Sequence, residues 1–546
     1  MIAPLGDSDV ARAGNGNSGN AANVDGDGSG AGARSRGRRF GLEMERVGTM
    51  SRSVIEAGEI RSDRSIRARL FKNTSYLTVG NQVGNVGQFL FFLYFARGFG
   101  EAVVGRYSFG FSFTYVLSVL ADLGMSAYLI REVARDGAGG RDLIWRGVVL
   151  RLLSLLFLSV FGVLTATVFF KGLPVDTILV LALLGMYQLF LSIADVFLAE
   201  FKGHDRMALV AVLNCIVKIF IAGAGIVMVL EGLSYLTVMA CFPVGAFVYL
   251  LVCVHISHRS FGGFKLHLGQ LELGRLFNKL MPFALTVIFV ESLYHIDILL
   301  LRFFTDDQTV GLYSVSQKLV MVFVGILAFV YTALLPAFSV LYGESEIRLR
   351  EVSRQCLRYL ILIGLPIAAG LSAISERAIV LFFSEKFAAS IQGAEILSWT
   401  VALCFAAAPY HVLLIAINRQ AAKSAAIGIC VAANLGLNLF LIPKFGYLGA
   451  AWAKLATEAL ILAVLSYLGS RYFKNISLLR ILPKPALSCL VMYITIKALG
   501  NMSLLGIVVV APLVYFGVLT ILGSYEKEEI DWVKGNYRRL FAKTVN

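Results

Sequence analysis

The stretch NKLMPFALTVIFVESLYHIDILLLRFF, Asn278 to Phe304, is long enough to cross a bilayer yet carries Glu291, His295 and Asp297. A spanning helix needs roughly 20 apolar residues. A charge near its middle costs about 2.5–3.5 kcal/mol and therefore faces protein or water rather than lipid. Glu291 falls roughly 16 Å into the span at about 1.5 Å per residue, close to the midplane. The segment predicts a transmembrane helix with a polar task.

The rest of the chain agrees. Of 546 residues, 58% are hydrophobic and 15% charged, with a mean hydropathy of +0.75. That composition excludes an ordinary soluble domain and predicts an all-α, polytopic membrane protein. The net charge of +14 lies mostly in loops and tails beside the spans, where anionic lipid headgroups are the expected partner and nucleic acid is not. Seven cysteines lie in or beside apolar runs with no CxxC pair and no metal-ligand spacing, so they read as small packing residues, with no metal and no cofactor.

Residues 1–72 open with a Gly/Ala/Asn/Ser/Asp tract, too polar to offset the entropy of ordering, and continue as a basic run from Arg34 to Lys72. A disordered cytoplasmic tail is expected. Gly14, Gly16 and Gly19 spell GxGxxG, but no strand precedes them, so the dinucleotide motif fails. Spans follow near 76–95, 108–130, 147–170, 176–199, 207–230 and 234–255, then 279–302, 313–341, 357–374, 394–416, 422–443 and 447–470, and finally 483–499 and 503–523. The expected fold is about fourteen transmembrane helices: an N-lobe at 73–256, a linker at 257–278, a C-lobe at 279–474, a helix pair at 475–524 and a tail at 525–546. The even-numbered connections are rich in Arg and Lys, such as Arg348, Arg350, Arg354, Arg419, Lys423 and Arg471, and the odd ones poor. The positive-inside rule thus puts both termini in the cytoplasm.

Val104-Gly105-Arg106-Tyr107-Ser108 follows the first span, and Val310-Gly311-Leu312-Tyr313-Ser314 follows the seventh. Asn214 and Lys218 in the fifth span match Asn434 and Asn438 in the eleventh. An offset of six spans preserves orientation, giving two parallel six-helix repeats, a plan that places a transport site between lobes.

Polar residues inside spans mark candidate sites. Asn81, Asn85 and Gln88 share one face of the first span, either bonding other helices or lining a cavity. Lys218 lies too deep to snorkel easily, whereas Lys318, Arg151 and Arg358 are near enough to helix ends to do so. Asp122 lies about two turns from an inner helix end, and Asp195 and Glu200 read as solvated. Lys454 and Glu458 form an i,i+4 pair. Glu291 has no basic residue one turn away except His295, so it either pairs with another helix or carries a proton, as desolvation favours; both suit a coupling residue. No catalytic set emerges, and external connections leave no room for a catalytic domain. An enzyme is not expected.

The runs FKNTSYLTVGNQVGNVGQFLFFLYFARGFG, VGRYSFGFSFTYVLSVLADLGMSAYLIREVARD, HIDILLLRFFTDDQTVGLYSVSQKLV, TALLPAFSVLY and ANLGLNLFLIPKFGYLGAAWAKLATE resemble polysaccharide (O-antigen type) flippases of the multidrug/oligosaccharidyl-lipid/polysaccharide exporter superfamily, over residues 70–475. His295 stands where many members have Asn. The resemblance implies translocation of a polyprenyl or dolichyl (pyro)phosphate glycan from the inner to the outer leaflet of the plasma membrane, by two lobes rocking about a cationic cavity. It makes Lys218 and Lys318 candidate phosphate contacts, and Asp122, Glu291, Asp297 and Glu458 candidate gating or coupling residues, driven by H⁺ or Na⁺. Expected partners are the lipid-linked oligosaccharide, membrane lipids and polysaccharide-assembly enzymes, around a monomer. A cation-coupled drug exporter and a non-transporting scaffold are the rival readings.

Overall fold

The computed structural model describes residues 73–122, 124–136, 140–169, 174–262, 288–289, 291, 293–472, 481–499 and 502–524. The expected N-terminal tail, most of the linker, the start of the seventh span and the C-terminal tail lie outside the described residues. Every described element is helical, as a chain in lipid requires when it must satisfy its own backbone hydrogen bonds.

The helices are α1 (73–99), α2 (Glu101–Asp122), α3 (Met125–Asp136), α4 (Gly140–Phe169), α5 (Val175–Gly203), α6 (Met207–Leu230) and α7 (Tyr235–Phe261). After them come α8 (288–304, apart from 290 and 292), α9 (Asp307–Val324), α10 (Leu327–Glu344), α11 (Glu346–Phe383), α12 (Ile391–Ala416), α13 (Gln420–Tyr472), α14 (Pro483–Ala498) and α15 (Leu504–Ile521). Nine stretches among the described residues are long and apolar enough to cross a membrane by length and composition alone. The expected second span starts earlier than hydropathy suggests and breaks at Gly124, whose φ of 76° only glycine adopts freely. The eighth span is divided between α9 and α10 by a turn at Gly325–Ile326. The eleventh and twelfth run together as α13, 53 residues long, broken only at Gly446 with φ 57° and ψ −134°.

Side-chain caps fix several starts: Ser234 accepts from Thr237 N, Ser503 from Gly506 N, and Asp306 from Thr309 N at 2.9 Å, each satisfying a backbone donor with no intrahelical partner. Hydrogen bonds from the Thr309 hydroxyl and backbone hold the Asp306 carboxylate below its ordinary range. The depressed value means that its contribution is present above the unfolded-state value of about 3.9 and is lost as pH falls through the folded one. The gap in thermal unfolding between wild type and Asp306→Ala should therefore narrow as pH is lowered from 7 toward 3.

In the first half α5 packs against α2, α3, α4, α6 and α7; in the second, α12 packs against α9, α10, α11 and α13. The final pair, α14 and α15, pack on each other and on α11. The halves meet through α2 and α9, at the two copies of the repeated motif. A Cβ on Gly105 would lie 1.7 Å from the carbonyl oxygen of Asp307, and one on Gly311 would lie 2.0 Å from that of Glu101. Glu101 precedes Gly105 by the same four residues that separate Asp307 from Gly311, so the contact is reciprocal. Around it Arg106 donates to Asp307 at 3.0 Å, Arg302 forms an ion pair with Asp307 at 2.7 Å, and Gln308 donates to Glu101 at 2.5 Å. Phe92 of α1 meets Phe383 of α11 at the same end, ring centroids 6.1 Å apart.

Candidate functional site: two cavities separated by α1

Away from the α2–α9 crossing the described residues of the two halves line a cavity of about 600 Å³ and another of about 310 Å³. Asn81 lines both, which makes α1 the shared wall. Glycines bring α1 close to α6: a Cβ on Gly84 would lie 2.6 Å from Lys218 Cδ, so the lysine stem occupies the room that the missing side chain leaves, as small residues permit between membrane helices.

Three polar groups cross that wall. Lys218 Nζ donates to Asn85 Oδ1 at 2.9 Å, Asn85 Nδ2 donates to Gln82 Oε1 at 2.9 Å, and Gln82 Nε2 donates to the carbonyl of Gly325. Thr78, Asn81, Gln82 and Asn85 form one side of the larger cavity, and Tyr294, Tyr331, Cys404, His411, Lys423 and Glu458 contribute to the others. Gln88 is half-buried but lines neither cavity.

The smaller cavity holds Asp122, Arg151, Asp195, Lys218 and Glu291. Glu291 accepts from Tyr115 OH at 3.1 Å and forms no ion pair with a described residue; of the two sequence alternatives, pairing with a cation on another helix is not found among them. One turn on, His295 is 3.1 Å from Ser112 Oγ and packs at a tilt against Tyr115, ring centroids 4.6 Å apart. Residues of α8 thus contact α2 at the cavity edge.

Several expected placements are corrected. Arg151 does not snorkel: it is 3% exposed and pairs with Asp122, because both lie on helices facing the same interior. Arg358 donates to the carbonyl of Ser524, tying α11 to the segment after α15. Glu200 is not solvated; it is 1% exposed and accepts from Ser257 at 2.5 Å. Asp195 is exposed, but into the cavity. Lys318 lines neither cavity and rests its ammonium 5.7 Å from the Phe92 ring centroid.

Asp297 sits in neither cavity. It is fully buried, accepting from Tyr313 OH at 3.0 Å and from Asn438 Nδ2 at 2.7 Å, while Asn434 donates to Thr457 at 3.0 Å. Lys454 and Glu458 pair at 3.4 Å, and Lys454 also donates to the Leu293 carbonyl at 2.7 Å. His411 and Lys423 escaped the sequence reading: Lys423 belongs to a basic run assigned to a loop, and His411 to an apolar helix.

Residues 70–342 match the polysaccharide biosynthesis protein family, and residues 282–443 match MatE. The chain belongs to the polysaccharide biosynthesis protein family. This family member is 23% identical over 418 residues to the probable low-salt glycan biosynthesis flippase Agl15 of Haloferax volcanii, across 74% of this chain and 84% of the relative. In fold it is similar to the lipid II flippase MurJ in an inward closed conformation, with TM-score 0.68 and 15% identity over 83% of this chain and 98% of that one. It is also similar to a transporter of the multidrug/oligosaccharidyl-lipid/polysaccharide superfamily from Pyrococcus furiosus, with TM-score 0.54 and 15% identity over 74% and 96%. The polysaccharide biosynthesis family member is a multi-pass membrane protein of this transporter superfamily.

Proposed function

We propose that the protein translocates a lipid-linked oligosaccharide, a polyprenyl or dolichyl (pyro)phosphate glycan, from the inner to the outer leaflet of the plasma membrane. The observation that carries this reading is the wall of the larger cavity, where amides from α1 face tyrosines from α8 and α10. Amides and aromatic faces suit a sugar, which offers hydroxyls at its rim and apolar C–H faces. Glu458, the one carboxylate among the described residues of that cavity, is tied to Lys454, so a lipophilic drug cation would find no free counter-charge among them. The similarity to Agl15 and the MurJ-like fold support the same reading.

Two lobes, 73–256 and 279–474, would alternate access by rocking about the α2–α9 crossing. A ligand shifts such an equilibrium only by binding the two states differently, and Glu291, touching α2 through Tyr115, is placed to couple an H⁺ or Na⁺ to that movement. Both termini lie in the cytoplasm, and glycan-assembly enzymes supply the substrate. Glu291→Gln should abolish glycan export at unchanged protein abundance; normal export in that variant removes the coupling role. For the transport itself, cells depleted of the protein should accumulate completed glycan lipid that an external glycosidase cannot reach. A fully accessible pool would overturn the reading.

A further inference from the structure

The two cavities differ in how their charged groups are partnered. In the smaller, Arg151 neutralises Asp122, leaving one ammonium, Lys218, beside the carboxylates of Asp195 and Glu291. The Lys218 ammonium there already donates to Asn85 and shares its cavity with two acidic side chains, so it is not left over for an anion. Among the described residues of the larger cavity the charged ones are Lys423 and Glu458, and Glu458 is neutralised by the buried Lys454. Lys423 is half-buried, and its ammonium makes no hydrogen bond or ion pair with a described residue. An ammonium that faces a cavity inside a membrane protein with no described counter-charge is short of the water and the pairing that normally stabilise it. His411 lines the same cavity, its ring edge-on to Tyr331 with centroids 6.3 Å apart and its nitrogens without a described hydrogen-bond partner. Lys423 lies in the first turn of α13 and His411 near the last turns of α12, so both stand beside the turn that joins these helices, at one end of the cavity.

We propose that Lys423 and His411 form an anion subsite for a phosphate or diphosphate ester, with the amides of α1 left to the attached sugars. The inference rests on the transport reading above and assigns the charged part of the substrate to the larger cavity, away from Lys218 and Lys318. Lysine serves phosphate as a point charge with three donors, and a neutral imidazole adds a directed N–H.

The native thiol of Cys404, which lines this cavity, reports occupancy. The full chain in phosphatidylcholine nanodiscs is alkylated with N-ethylmaleimide, and Cys404 modification is followed by peptide mass spectrometry with geranylgeranyl diphosphate as the probe. The diphosphate should slow alkylation, and geranylgeraniol, which lacks the anion, should not. The concentration for half-protection should rise about tenfold to a hundredfold in Lys423→Gln, the range that a charge-assisted hydrogen bond supplies, and less in His411→Gln. Lys423→Arg should stay near wild type, and equal alkylation rates without probe show that the cavity of each variant is intact. Nanodiscs containing phosphatidylglycerol separate the two sources of the anion: protection without added diphosphate, lost in Lys423→Gln, would identify a bulk headgroup as an occupant of the subsite. Wild-type protection retained in both variants, or equal protection by geranylgeraniol, overturns the subsite and leaves the flippase reading to the leaflet assay. Wild type unprotected by the diphosphate in either lipid overturns the subsite as well.

Discussion

Gly105→Ala should abolish closure of the α2–α9 crossing, and Gly311→Ala should do the same. A methyl group 1.7 Å or 2.0 Å from a carbonyl oxygen lies far inside van der Waals contact, and the obstacle is backbone, which cannot rotate away as a side chain would. The helices must part along the whole seam that Arg106, Asp307, Gln308 and Glu101 close. Overpacking of this kind costs about 1–3 kcal/mol and sometimes more. Thermal unfolding in detergent should fall for each variant, and a cysteine placed at Gln308 should become more reactive to an impermeant thiol reagent. Both substitutions pry apart one contact, so the double variant should lose clearly less than the two single losses added, as coupled neighbours do. Strict additivity would mean that the two glycines act at separate places.

Arg151→Met should be the most destabilising single change in the smaller cavity. The guanidinium is 3% exposed, Asp122 is its ion-pair partner, and Asp122 also accepts from Ser126 Oγ at 2.7 Å. Removing one member of a buried pair costs about 3–5 kcal/mol because the other charge is left without compensation, whereas replacing both with apolar groups can be neutral. Arg151→Met should therefore lower the unfolding temperature sharply, and Arg151→Met with Asp122→Leu should restore much of it. A double variant as unstable as the single one would show that the arginine acts through packing alone.

Hydropathy located the helices because a spanning segment must be long and apolar throughout, and it separated the eleventh from the twelfth span at 443/447, where Gly446 turns the chain. The Val-Gly-x-Tyr-Ser echo was visible as a repeat; that its two copies cross each other needed coordinates. Rotation of each helix about its axis was hidden for a physical reason. Lipid is as apolar as the protein interior, so the exposed Ile216 and Leu513 and the buried Val217 and Leu519 look alike in sequence, and the amphipathic stripe that orients a soluble helix is missing. The pairings Arg151–Asp122 and Glu200–Ser257 join different helices, which local spacing cannot reveal. Lys423 was hidden because an arginine-rich loop and a cavity wall adjoin, so counting loop charges absorbed it. Glu291, placed deep in its span by counting residues, and Asn81, placed on a polar helix face, do reach the cavities.

The hydrogen-bonded row through α1 has a stereochemical consequence. An ammonium can only donate and a carbonyl can only accept, so Lys218 at one end and Gly325 at the other dictate which way the carboxamides of Asn85 and Gln82 point. Neither amide can flip without two donors or two acceptors colliding. The larger cavity therefore offers a fixed order of hydrogen-bond givers and takers, like the wards of a lock. Two sugars that differ only by inversion of one hydroxyl, identical in size and charge, would not read that order alike.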